Sequence, residues 1–227
     1  MRRKLFALFI FLILITGPIY VNGKNSINFV NVQRYCVRNY EFDFTKHNLP
    51  DNLYNDDGVN IEYSDDGIIL TMKHNRNQFL GVYINKKVNY IEITSTIKTI
   101  TSSDYIDYFT GYSPYFNNVK PYIRFGIGWK TLMLGSSAGI SDSNLNKKTQ
   151  YKLGNSIEYN KFYTYKIVVI GGKIFKCYLN NALIIETSTN NIYNNVGFAG
   201  LILDLDSGDK IVVKNLLIRF SSITRII

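Results

Sequence analysis

The chain has 227 residues, of which 46% are hydrophobic and 19% charged, and its formal charge is +9. That apolar share excludes a disordered chain, and a sandwich of strands commonly fills such a length as one domain. Aromatics reach 15%, almost all Tyr and Phe with a single Trp, a composition that favours strands over helices.

Arg2, Arg3 and Lys4 precede an unbroken apolar run from Leu5 to Ile15, which Gly17 and Pro18 interrupt. Val21-Asn22-Gly23 follows with small residues suited to cleavage. Residues 1–23 are therefore expected to be a secretory signal peptide, with the mature chain starting at Lys24. The apolar stretch is short for a membrane span, so membrane contact is expected only through this segment if it stays uncleaved. The expected location is secreted or at the cell surface. Removing the leader leaves +6 on the mature chain, with Lys86-Lys87 and Lys147-Lys148 its only adjacent basic pairs. So thin a spread argues against nucleic acid and suits an acidic glycan, an anionic surface or plain solvent.

Beyond the leader the hydrophobic period is two. Strands are expected at Phe29–Val37, Val59–Tyr63, Ile68–Lys73, Phe79–Ile84, Tyr90–Ile100 and Tyr122–Leu134, then at Phe162–Ile170, Ile174–Leu179, Ala182–Thr187, Val196–Asp204 and Lys210–Phe220. In Tyr90–Ile100, for example, Ile91, Ile93 and Ile97 share one face and Glu92, Thr94, Thr96 and Lys98 the other. Asp65-Asp66-Gly67, Gly171-Gly172 and Asn180-Asn181 supply residues that tolerate the positive φ of tight hairpins. The pattern predicts an all-β, two-sheet antiparallel sandwich over residues 24–227, with long loops at 104–121 and 136–160.

Cys36 and Cys177 are the only cysteines, and they either bridge two strands or stand as small buried hydrophobes. With only His47 and His74 beside them, no zinc-ligand spacing is present. No Asn-x-Ser/Thr sequon occurs, so N-glycosylation is outside the surface chemistry.

Glu41-Phe42-Asp43-Phe44 with Leu49-Pro50-Asp51-Asn52, the hairpin Val59–Leu70 around Asp66-Gly67, the pair Tyr165–Val169 and Phe175–Ile184, and Val196–Leu201 occur in an order that resembles the concanavalin A-like lectin and glucanase superfamily, including laminin G-like and laminarinase-like domains. The resemblance spans nearly the whole mature chain. It implies a curved jelly roll whose concave face often holds a glycan, and frequently a structural calcium. It carries no catalysis: the laminarinase-like pattern Glu-x-Asp-x-x-Glu is absent, and Glu41-Phe42-Asp43 lacks the second Glu.

Candidate ligand contacts are the rings Tyr105, Tyr108, Tyr112 and Tyr115, which suit stacking on sugars or else roof the core beneath a loop. Trp129 alternates with Gly126 and Gly128 and stands either in the core or, with Arg124 and Lys130, at a ligand face. Asp204, Asp206 and Asp209 offer oxygens for calcium or simply form an acidic turn. The expected function is a non-catalytic glycan-binding or adhesion module whose partner is an extracellular glycan or acidic surface polymer. The alternatives are a carbohydrate-active enzyme with converging carboxylates and a structural domain of an envelope or virion.

Overall fold

The computed structural model describes residues 33–73, 78–101, 106–114, 123–136 and 142–225, and the expected signal peptide, Tyr105, Tyr115 and His74 lie outside them. The described chain forms β1 (Gln33–Asp43), a 3-10 turn (Phe44–Lys46), β2 (Tyr54–Asn55), β3 (Val59–Ser64), β4 (Gly67–Met72), β5 (Gln78–Lys87), β6 (Tyr90–Thr99) and β7 (Ile106–Ser113). It continues through β8 (Ile123–Gly128), β9 (Thr131–Ser136), β10 (Lys147–Lys152), β11 (Phe162–Ile170), β12 (Ile174–Leu179), β13 (Ala182–Ser188), β14 (Asn195–Leu205) and β15 (Lys210–Arg225).

Two antiparallel sheets result, as the period of two predicts. One has the order β13-β12-β11-β6-β15-β4-β3, with β1 also on β15; the other is β10-β9-β8-β7-β14-β5-β2. β15 is the spine of the first sheet because it is long enough to hold two partners in succession along one edge. Lys210–Val213 pair with β4, and Asn215–Arg225 pair with β1. β6 runs along the other edge.

Between the sheets lies the main core. Ile91, Ile93 and Ile97 point into it from β6, as expected, against Leu201, Leu203 and Leu205 of β14 and Phe125 and Ile127 of β8. Its centre also contains hydroxyls, each given a partner from the opposite sheet so that burial is not penalised. Tyr108 of β7 bonds Tyr165 of β11 at 2.9 Å and accepts from Thr99 of β6 at 3.1 Å. Thr110 of β7 meets Ser95 of β6. Burial pushes the Tyr108 phenol up to about 12, so the bridge stays neutral at any ordinary pH.

Three expectations are corrected. The stretch 104–121 is not one long loop: it contains β7, with Ile106, Tyr108 and Tyr112 facing the core. The polar stretch 136–160 likewise contains β10, an exposed edge strand. Tyr122–Leu134 is not one strand but the β8–β9 hairpin, turning at Trp129-Lys130 with φ of 55° and 57°. Positive φ at both central residues is the twist a two-residue hairpin needs, here met without the usual Asn or Gly. The inward set switches from Ile123, Phe125 and Ile127 to Leu132 and Leu134 across that turn.

A carboxylate fastens the edge of one sheet to the edge of the other. Asp142 precedes β10 and is 6% exposed. Its oxygens accept from the Thr189 hydroxyl, from Asn191 Nδ2 and Tyr193 OH at 3.2 Å each, and from the Asn144 N–H at 3.0 Å. Thr189, Asn191 and Tyr193 all follow β13. These donors, Thr189 foremost, hold the Asp142 carboxyl below its ordinary value of 3.8. A depressed folded-state pKa gives stability that is present above the unfolded value and lost as pH falls through the folded one. Thermal unfolding of Asp142→Asn should therefore show a lower Tm than wild type at pH 7 and a shallower decline below about pH 4. Equal slopes for both proteins would remove Asp142 from the acid response.

Candidate functional site

The seven-stranded sheet is apolar on both sides. Leu80, Val82, Ala199 and Leu201 face the core, while alternate residues of the same strands build a second cluster of Phe79, Phe109, Phe198 and Ile202 on the outer face. Tyr54 and Met133 pack against that cluster.

Glycines make this outer layer possible. Register places Tyr54, Gly81, Gly200, Gly111, Arg124 and Gly135 in one row across six strands. A Cβ on Gly81 would lie 2.1 Å from the Ala199 carbonyl oxygen, and one on Gly200 2.6 Å from Gly81 Cα. The backbones of β5 and β14 thus occupy the space side chains would need. Large neighbours reach over the gaps: Phe198 over Gly81, Phe109 over Gly128 and Met133 over Gly135. Arg124 completes the layer, its guanidinium 4.1 Å from the Phe109 ring centre, a cation–π contact.

Most of this layer is closed, with Phe109 and Ile202 at 0% exposure, but Tyr83 is 43% exposed. Its ring lies 5.1 Å from Tyr54 and 6.3 Å from Phe198, and Phe198 lies 5.3 Å from Phe79. Burial raises both the Tyr54 and the Tyr83 phenol above the ordinary 10.0. They remain neutral, able to donate and accept.

Charge divides along this face. One end carries Asp107 and Asp204, directly opposed on β7 and β14. Burial raises the Asp107 carboxyl, against the pull of the Trp129 N–H it accepts at 2.7 Å. That bond supports the β8–β9 turn, where Trp129 stands 78% exposed with Lys148 Nζ 5.8 Å from its ring. At the far end of β5 stand Lys86 and Lys87, paired with Val196 and Asn195 of β14.

The residues singled out from the sequence fall in different places. Tyr108 and Tyr112 are core residues at 1% exposure, and Tyr112 donates to the Tyr193 carbonyl at 2.7 Å. Inward phase on β7 places both in the core between the sheets. Arg124 does lie on the outer face, beyond the core. Trp129 and Lys130 form an exposed turn, so Trp129 is no core residue. Asp206 and Asp209 close the turn into β15, where the Asp209 N–H donates to the Asp206 carbonyl at 3.0 Å, while Asp204 sits on the outer face of β14. Among the described residues no three His, Cys, Asp or Glu side chains gather as a metal set. Cys177 is a free thiol at 0% exposure, raised by burial. Cys36 belongs to β1, four strand spacings from β12.

The rings that matter here, Tyr54, Phe79, Tyr83 and Phe198, were not read as a site from the sequence. The available signal was the doubly apolar alternation of Phe79–Ile84 and Val196–Leu205, which marks strands covered on both faces.

No protein-family description and no curated protein matches the chain. Solved structures do match in fold. A protein of unknown function from Shewanella oneidensis MR-1 superposes with a TM-score of 0.59 at 11% identity, over 82% of this chain and 87% of that one. Apo Crh5 transglycosylase gives 0.57 at 11% identity over 79% and 83%. The Emp47p carbohydrate recognition domain gives 0.55 at 12% over 79% and 94%. At such identities the likeness is one of fold: the chain shares their β-sandwich.

The mutual contact of Gly81 and Gly200 predicts that Gly200→Ala forces β5 and β14 apart. Urea unfolding should show a loss of about 3 kcal/mol with an unchanged m-value. A midpoint equal to wild type would mean that the strands can separate freely there.

Proposed function

We propose that this protein is an exported, non-catalytic glycan-binding module, and that sugar rings stack on the outer face of the seven-stranded sheet at Tyr83. The observation that carries this reading is the exposed Tyr83 ring, braced by Tyr54 and Phe198 at one end of an aromatic layer. Planar rings match the apolar faces of sugars, and phenol hydroxyls match their polar edges. Two of the fold's neighbours are described as a carbohydrate recognition domain and a transglycosylase, which supports the same ligand class. The partner is an extracellular glycan or acidic surface polymer, and the leader ahead of Lys24 is the route out of the cell.

A glycan array probed with protein secreted from expressing cells, with and without calcium, tests this. Calcium is included because the sequence resemblance implies it. N-terminal sequencing of the same material should begin at Lys24. Saturable binding should fall about tenfold or more in Tyr83→Ala, the effect of losing ~1.4 kcal/mol of stacking. A folded protein that binds no glycan would leave the structural-domain reading in its place.

A catalytic reading is favoured by one observation, the Asp107–Asp204 pair. The two carboxylates are directly opposed on neighbouring strands, glycosidases work with such paired carboxyls, and burial together with the Asp204 charge raises Asp107. If this pair is catalytic, a screen of polysaccharides should yield reducing ends with wild type and none with Asp107→Asn. The non-catalytic reading expects none from either.

A further inference from the structure

Where β5 leaves the aromatic layer, its register with β14 shifts. Tyr83 pairs with Phe198 and Lys86 with Val196, so Ile84 and Asn85 stand opposite the single residue Gly197. This is a β-bulge, and Asn85 takes φ of 47° within it. Such a bulge bends one strand and re-aims the side chains that follow. Here it sets Asn85, Lys86 and Lys87 around an open pocket of about 390 Å³, completed by Pro114, Asn195 and Val196. That volume suits a small ligand or a single sugar unit.

The pocket's chemistry is one-sided. It offers two ammonium groups and two side-chain amides, and none of its lining residues is acidic. No ion pair among the described residues involves Lys86 or Lys87. The carboxylates of this face, Asp107 and Asp204, lie at the opposite end of β7 and β14, where Leu205 pairs with Ile106. Tyr83 of the aromatic layer precedes Asn85 by two residues on β5.

We infer that the pocket of Asn85, Lys86, Lys87 and Asn195 is the subsite for the carboxylate of an acidic saccharide, whose neighbouring sugar stacks on Tyr83. The inference rests on the proposed glycan-binding role and adds the charge class of the ligand. Lys86 and Lys87 bind the carboxylate by charge-assisted hydrogen bonds, and the asparagine amides meet adjacent hydroxyls. The bulge is the device that places the cations beside the ring.

The test uses one uronic-acid oligosaccharide and the same oligosaccharide with its carboxyls reduced to alcohols, titrated calorimetrically at low and at physiological salt. Wild type should bind the acidic form about tenfold more tightly than the neutral form at low salt, with the gap narrowing as salt rises. Lys86→Gln/Lys87→Gln should abolish that gap and leave affinity for the neutral form unchanged, while Tyr83→Ala should weaken both. If the double variant keeps the full preference, the subsite is wrong and the glycan-binding role stands. If wild type binds both forms equally, the charge class is wrong. If it binds neither, the role itself falls and the subsite with it.

Discussion

The contact between the backbones of Gly81 and Gly200 governs the rest of the outer face. Each glycine sits where a side chain on the other would have to be, so β5 and β14 can pair at this level only because neither residue carries one. The missing side chains leave room above the sheet, and Phe198 fills it. Phe198 in turn braces Tyr54 and Tyr83, which leaves one ring of the cluster facing solvent. An exposed aromatic is expensive to hold in one orientation unless its neighbours do so, and here two rings, Tyr54 and Phe198, share that task. The site is therefore a by-product of strand pairing and not of a loop.

The eight-stranded sheet solves a different problem. A strand has two edges, and β15 must serve three partners. Its 16 residues allow β4 and β1 to follow one another along the same edge, with a register shift between Val213 and Asn215 on the side facing β6. The two sheets are then tied at mid-core by hydroxyls and at their margins by Asp142. Leucine and isoleucine cores can slide, whereas the Tyr108–Tyr165 and Ser95–Thr110 pairs fix one sheet against the other. The loop before β10 and the segment after β13 are held by the same logic at the periphery.

Much of this architecture was legible in the sequence, because a period of two combined with Asn-Asn and Gly-Gly turns leaves few other readings. Phe162–Ile170 and Ile174–Leu179 begin and end where the pattern places them. The β8–β9 turn was illegible since Trp129 and Lys130 are poor turn residues, tolerated through the Asp107 bond and a tightly paired hairpin. β7 was hidden by its tyrosines: Tyr108 and Tyr112 look like surface rings in a polar stretch, and only the pairing with β14 fixes their inward phase. The ring cluster was harder still. Tyr54, Phe79, Tyr83 and Phe198 come from three separate strands, and nothing local in the sequence reports that Tyr54 stands opposite Gly81.

The margins of the seven-stranded sheet bear on how copies of this protein meet. Its last strand on one side, β10, presents Lys147, Lys148 and Lys152 and an irregular register; on the other side β2 is two residues long. Both are poor templates for another chain, the first through like charge and the second through brevity. The eight-stranded sheet is guarded less evenly, for β13 ends it with Leu183 49% exposed and Ile184 beside it. Fibrillar stacking, if it occurs at high concentration, would start along β13, and a lysine placed at 183 would close that route.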